Sequence, residues 1–152
     1  MDSGRVPVEL TDELVTCVFA RRCPSRATLE HVGSKWGILA LLALGEGDYR
    51  FNALRRRVEG VSEKMLSQTL QTLERDGLVR RDVQSTIPPR VEYSLTPLGA
   101  QVTTRLRDLA NLLESSVDEV TAARRAYDTR STPADPAVSP RSTPFQFDKI
   151  KG

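Results

Sequence analysis

Residues 52–81 read NALRRRVEGVSEKMLSQTLQTLERDGLVRR. The run divides into two short helices joined by a tight turn at Gly60. In the second helix, Ser62 stands where a hydroxyl caps the free backbone N–H groups of a first turn, and Glu63 suits the positive end of the helix dipole. Leu66, Leu70 and Leu73 recur at spacings of four and three and mark a buried stripe. At about 100° per residue, Lys64, Gln68, Gln71 and Arg75 fall on the opposite face. Asp76-Gly77 ends the helix, because Gly77 can take the left-handed conformation that lets Leu78 pack back on Leu73. The exposed face then offers two cations and two amides. Gln can read adenine edges, and Lys or Arg can read guanine or hold phosphate. An ordinary amphipathic surface helix would show the same pattern, so the neighbouring segments decide between the two readings.

Upstream, Phe51, Leu54 and Val58 are the inward residues of the first short helix, and Arg55, Arg56 and Arg57 decorate its exposed side. A short helix, a Gly-bearing turn and a second helix are helix-turn-helix grammar. Tyr49 to Phe51 either form a short strand or lead straight into that helix. Earlier still, Ser34-Lys35-Trp36 opens a helix that is apolar nearly all round, through Ile38, Leu39, Leu41, Leu42 and Leu44, and Gly45 and Gly47 close it. Trp36 reads as a core residue. A helix over Pro24–Val32 precedes it, with Pro at home in the first turn and Gly33 at the end. Glu9–Arg22 is expected to be helical, opening at Thr11, with Leu14, Val18 and either Val15 or Phe19 facing inward. Residues 1–8 read as a flexible arm.

Downstream the period changes to two. Val79, Arg81 and Val83 alternate with Arg80, Asp82 and Gln84; after Ser85-Thr-Ile-Pro-Pro, Val91, Tyr93 and Leu95 alternate with Arg90, Glu92 and Ser94. This predicts a β-hairpin, with Pro88 and Pro89 stiffening a tip where no ladder bond is needed. A hairpin directly after such a helix is a wing, and Arg90 at its tip could reach a phosphate or a minor groove. Thr96-Pro97 then starts a helix. Leu98, Val102, Leu106, Leu109, Leu113, Val117 and Val120 follow at spacings of three and four. One helix from Pro97 to Tyr127 would span roughly 46 Å, longer than a small winged-helix domain covers. Its apolar stripe is therefore expected to pack on a symmetry mate, with Leu14 and Val18 joining it. Residues 128–152, with Pro133, Pro136, Pro140 and Pro144 among Ser, Thr and Asp, read as a disordered tail.

The 152 residues fit one domain with appended segments, here residues 9–127. The net charge of +2 is small, but residues 50–93 hold nine basic and six acidic side chains, against five and seven over residues 1–49. The positive excess thus lies on the helix-turn-helix segment, although so mild a bias alone does not make a nucleic-acid case. No apolar run approaches the roughly 20 residues of a membrane span, and the acidic N-terminus lacks a signal-peptide core. The protein is expected in the cytoplasm, with the nucleoid. Two Cys and one His are too few for a disulfide framework or a zinc finger, so no metal or other cofactor is expected. No Gly-rich phosphate loop or oxyanion segment accompanies a nucleophile, which argues against an enzyme.

These blocks together carry a resemblance. Cys23-Pro24, Gly33-Ser-Lys35-Trp36, Arg50-Phe51-Asn-Ala-Leu54, Gly60-Val-Ser62-Glu-Lys64-Met65-Leu66, Leu73-Glu-Arg-Asp76-Gly77-Leu78-Val79 and Pro88-Pro89-Arg90-Val91-Glu92-Tyr93-Ser-Leu95-Thr96, followed by Gly99, resemble the HxlR family of bacterial transcription regulators. The likeness covers roughly residues 20–115. It implies a mainly α fold with a small β-hairpin wing, namely a winged helix-turn-helix flanked by N- and C-terminal dimerisation helices. It further implies a homodimer on palindromic double-stranded operator DNA. The family's recognition helix falls on Ser62–Asp76 and its wing on Val79–Leu95. Some family members sense electrophiles or oxidants through a cysteine near the N-terminus, and Cys23 holds that Cys-Pro position.

Cys23 also sits at a helix start beside Arg21, Arg22 and Arg26, surroundings that favour thiolate. A plain packed thiol fits the position too. A bond to Cys17, six residues away, would need a break in the helix, and an intersubunit bond is equally open. On the DNA side, Lys64, Ser67, Gln68 and Gln71 are expected nearest the bases, with Ser62, Met65 and Asn52 close by; Arg50, Arg55, Arg75 and Arg90 would hold the backbone. Leu14, Val18, Leu106, Leu109, Leu113, Val117 and Val120 form the expected dimer interface. The competing reading is a dimeric protein-interaction adaptor that keeps the winged-helix scaffold without specific DNA binding.

Overall fold

The structure is a computed structural model that describes residues 17–131. The expected arm over residues 1–8, the helix start at Thr11 with Leu14, and the segment beyond Ser131 lie outside those residues. The chain divides into two units, Met1–Thr103 and Thr104–Gly152.

In the first unit the order is α1 (Pro24–Gly33), α2 (Lys35–Leu44), β1 (Tyr49–Arg50), α3 (Phe51–Arg57), α4 (Glu63–Arg75), β2 (Val79–Thr86) and β3 (Pro89–Leu95), and then the start of α5 (Pro97–Ser115). The strands form an antiparallel sheet in the order β1-β3-β2. Tyr49 pairs with Tyr93 and Arg50 with Glu92 on one side of β3, and Val79 with Leu95 through Thr86 with Pro89 on the other, with an irregularity between Val83 and Ser85. The short strand at Tyr49–Arg50 is thus the third strand of the wing sheet. This is a winged helix-turn-helix, mainly α with a small sheet.

The core follows the apolar periodicity. α2 buries Ala40, Leu41, Ala43 and Leu44, α3 buries Leu54, and α4 buries Leu66, Leu70 and Leu73. α2 packs against α1, α3 and α4 and is the hub of the unit. Leu41, Leu54, Leu66, Leu70, Leu73 and Leu78 are its fully buried large side chains. Each contributes roughly 1.5–3 kcal/mol relative to an exposed position. Trp36 is half-buried, and its Cη2 stands 3.7 Å from where a Cβ on Gly60 would lie, so the tryptophan supports the turn between α3 and α4. Gly60 takes φ +93° there.

Three expectations need correction. First, the helix before Pro24 stops short of Arg22. Cys17 and Val18 are helical, but Phe19 turns away and is 76 % exposed. The amide of Ala20 donates to the Cys17 carbonyl (2.9 Å), that of Cys23 to the Ala20 carbonyl (3.1 Å), and Arg26 donates to the Phe19 carbonyl (3.1 Å). These bonds satisfy the turn's backbone without a continuing helix.

Second, the long C-terminal helix is two helices, α5 (Pro97–Ser115) and α6 (Val117–Ser131). The Ser115 hydroxyl donates to the Leu112 carbonyl (2.8 Å), and the Ser116 amide donates three residues back to Leu113 (3.1 Å). Serine back-bonding and a tightened turn interrupt the regular ladder. α6 also continues to Ser131, past the expected end at Tyr127.

Third, the first turns of α5 bury Gly99 and Thr103, whereas Leu98 is exposed. A Cβ on Gly99 would lie 1.9 Å from the Leu78 carbonyl oxygen. Only glycine permits that approach, and it rotates the buried face one residue from the leucine stripe. In the second unit, Leu106 and Val120 are half-buried, and Leu109, Leu112, Leu113 and Val117 are exposed.

Candidate nucleic-acid interface

The geometry of α4 is set at both ends. Ser62 is its N-cap, and its Oγ accepts from the Met65 amide at 3.1 Å. At the other end Gly77 takes φ +78°, the Leu78 amide donates to the Leu73 carbonyl at 2.9 Å, and the Gly77 amide donates to the Glu74 carbonyl at 3.0 Å. Those two bonds are a Schellman motif. Thr96 then ties this end to α5: its hydroxyl donates to the Gly77 carbonyl (2.6 Å) and accepts from the Gly99 amide (3.0 Å). A helix held this firmly at both ends presents its outer face with little play.

That outer face carries Lys64, Gln68, Gln71 and Arg75, all exposed, with Met65 beside them and Ser67 half-buried. Among the described residues, none of the four long polar side chains is held by an ion pair or hydrogen bond. Their donors and acceptors are therefore open to a ligand. Arg50, Asn52 and Arg55 are exposed around the start of α3, and Arg90 is exposed near the wing tip.

The three arginines at the end of α3 divide in a way their adjacency does not disclose. Arg57 is engaged by Glu46, donating from Nε to Oε1 at 2.7 Å and from Nη2 to Oε2 at 2.6 Å. These hydrogen bonds and the opposite charge raise the Arg57 pKa above its ordinary value. Tyr49 donates to the same carboxylate at 3.1 Å. Arg55 and Arg56 have no such partner among the described residues.

A second contact joins residues distant in sequence. His31, in the last turn of α1, places Nδ1 2.6 Å from Oδ2 of Asp76, the C-cap of α4. The partner of His31 is a carboxylate, and no cluster of three metal-binding side chains occurs among the described residues.

Cys17 and Cys23 are joined in a disulfide, with Cα atoms 5.6 Å apart. The turn over Phe19–Arg22 brings them together, so the break in the helix that such a bond requires lies ahead of Pro24. Cys23 is buried at the N-cap of α1, and its sulfur lies 3.1 Å from the Ser25 hydroxyl. The disulfide and the His31–Asp76 contact therefore sit at opposite ends of one ten-residue helix.

Residues 31–121 match the HxlR-like helix-turn-helix family. Over 107 residues the chain is 54 % identical to the uncharacterized HTH-type transcriptional regulator YtfH of Escherichia coli (strain K12), covering 70 % of this chain and 85 % of that one. Among solved structures, the ytfH protein of Salmonella typhimurium is 52 % identical with a TM-score of 0.66, over 70 % of this chain and 96 % of that one. The redox regulator HypR in its reduced form is 34 % identical with a TM-score of 0.60, over 65 % and 98 %. No helix among the described residues is long and apolar enough to cross a membrane.

Proposed function

Since the chain belongs to the HxlR-like helix-turn-helix family of transcriptional regulators, we propose that it acts as a homodimer on palindromic operators and that the thiol state of Cys17 and Cys23 sets its affinity. The observation that carries the DNA part is the unpartnered Lys64–Gln68–Gln71–Arg75 face on a helix fixed at both ends. In the major groove, Gln68 and Gln71 would pair with base edges, with Lys64 and Ser67 next to them. Arg50, Arg55, Arg75 and Arg90 would neutralise phosphates and supply salt-dependent affinity.

The dimer part is supported by the exposed row Leu109, Leu113 and Val117 on α5 and α6, to which Leu112 adds. The redox part is supported by the Cys17–Cys23 disulfide, because cytosolic disulfides are mostly transient and redox-sensing. Likeness to the redox regulator HypR points the same way. α1 would carry the signal, since it links Cys23 to Asp76 through His31.

Footprinting of the reduced, full-length protein on DNA recovered by genome-wide binding tests this reading. The expected footprint is two half-sites about 34 Å apart, one helical turn of DNA. Protection without sequence preference or two-fold symmetry would overturn it.

A further inference from the structure

Beside the wing lies a cleft of about 520 Å³ that the base-reading face of α4 does not use. Arg50, Arg56 and Arg90 line it, from β1, α3 and β3 respectively, over apolar walls that include Phe51, Pro89 and Val91. Among the described residues, no carboxylate lies within ion-pair distance of any of the three arginines. Glu92, which faces Arg50 across the β1–β3 pair, instead accepts from the Gln84 amide at 3.2 Å. Arg57 is turned away onto Glu46, and Arg55 is not among the cleft's walls. The cleft is thus lined by three arginines and by no acidic residue, a composition that favours an anion.

We propose that this cleft is a phosphate-binding site in which Arg56 is a ligand, clasping one phosphate group between α3 and the wing. Three arginines based on three different elements can offer donors from several sides, which suits a tetrahedral group with several acceptor oxygens better than a flat carboxylate, which one fork satisfies. The low-lying apolar walls strengthen each charge-assisted bond by excluding part of the solvent. On the reading that the chain binds DNA, the phosphate is a backbone phosphodiester, and filling the cleft fixes the angle of the wing on the duplex. The same chemistry would accept a phosphate of a free small molecule, and the two sources separate experimentally.

The test uses the full chain with Arg56→Gln, Arg56→Lys and, as a control on α6, Arg124→Gln. Binding to an operator duplex and to a random duplex is measured from about 50 to 200 mM salt, the range over which phosphate contacts dominate the change in affinity. In parallel, inorganic pyrophosphate is titrated while the side-chain resonances of Phe51 and Val91 are followed. Arg56→Gln is expected to weaken both duplexes alike, by about tenfold at the lowest salt, and to reduce the salt slope by about one. Arg56→Lys should restore most of the slope, and Arg124→Gln should change neither quantity. Pyrophosphate should shift Phe51 and Val91 in the wild type and not in Arg56→Gln. A pyrophosphate response lost in Arg56→Gln, with DNA binding unaltered, keeps the site and assigns it to a free ligand. If the wild type binds no DNA but keeps the pyrophosphate response, the regulator reading fails and the cleft stands. If DNA binds and Arg56→Gln alters neither the slope nor the resonances, the cleft proposal is overturned and the regulator reading stands.

Discussion

His31 Nδ1 lies 2.6 Å from Asp76 Oδ2, so the last turn of α1 holds the C-cap of α4 from 45 residues away. The ring nitrogen donates to a carboxylate that is 16 % exposed, while the His31 side chain is 36 % exposed. A hydrogen bond to a charged group contributes about 1.5–3 kcal/mol when well buried, and the exposure of the ring brings this down to about 1 kcal/mol. His31→Ala and Asp76→Asn should each destabilise the fold by about that amount. In urea titrations the double variant should cost less than the sum of the two singles, because both remove one contact. Strict additivity would mean that the two side chains do not cooperate.

The approach of α5 to the turn between α4 and β2 should be the position least tolerant of added volume. A Cβ on Gly99 meets the Leu78 carbonyl at 1.9 Å, and that oxygen belongs to backbone that cannot swing aside. Gly99→Ala is expected to cost about 2–3 kcal/mol by overpacking. Gly33, in the last turn of α1, has nothing within 4 Å of the same built atom. Gly33→Ala should be neutral or stabilising by up to about 1 kcal/mol. Thermal melts of the two variants check the contrast, and equal melting temperatures would contradict it.

The exposed row on the C-terminal helices is expected to hold two copies together. Leu109→Glu combined with Leu113→Glu should convert a dimer to a monomer in sedimentation at micromolar concentration, with circular dichroism showing the helices retained. A double variant that sediments as the wild type does would remove these residues from the interface.

Thiol state should change affinity for DNA. Reduced and oxidised wild-type protein should differ at least about fivefold, the lower end of ordinary coupling between sites. Cys23→Ser should hold the reduced value whatever the oxidant. His31→Ala should leave the disulfide able to form while narrowing the difference between the two states, since it removes the side-chain hydrogen bond from α1 to α4. A Cys23→Ser variant that still responds in full would place the sensor elsewhere.

Much of the winged helix was legible because its signals are local. Ser62 is the cap of α4, Leu66, Leu70 and Leu73 are buried, and Gly77 supplies the left-handed residue, each as its neighbours in sequence suggest. The period of two marks the wing strands, which run on past the irregularity at Val83–Ser85 through Ser85, Thr86 and Pro89, residues that the pattern places in the loop. What escaped notice depends on contacts distant in sequence or on small residues. His31 and Asp76 carry no pattern that pairs them. The Gly99–Thr103 face of α5 is hidden beneath a leucine stripe that is longer and more apolar. The break at Ser116 rests on hydroxyl and 3₁₀-type bonds that compete with the helix, which apolar spacing does not register. The turn over Phe19–Arg22 is likewise held by backbone bonds and by Arg26, in a stretch with no glycine or proline to mark it. For the candidate site, exposure of Lys64, Gln68, Gln71 and Arg75 followed from the helical period. The division of Arg55, Arg56 and Arg57 did not, because Glu46 lies eleven residues from its partner.

The most direct measurement compares the affinity of the reduced full-length protein for the DNA upstream of its own coding sequence with that for a shuffled duplex of equal length. Fluorescence anisotropy at physiological salt provides both values. The native duplex should bind about a thousandfold or more tightly than the shuffled one, the lower end of specific recognition. Gln68→Ala should reduce that preference by about tenfold, since one good pair of base contacts accounts for about 1–3 kcal/mol. Equal affinities for the two duplexes in the wild type, or a preference untouched by Gln68→Ala, would contradict base reading by the outer face of α4.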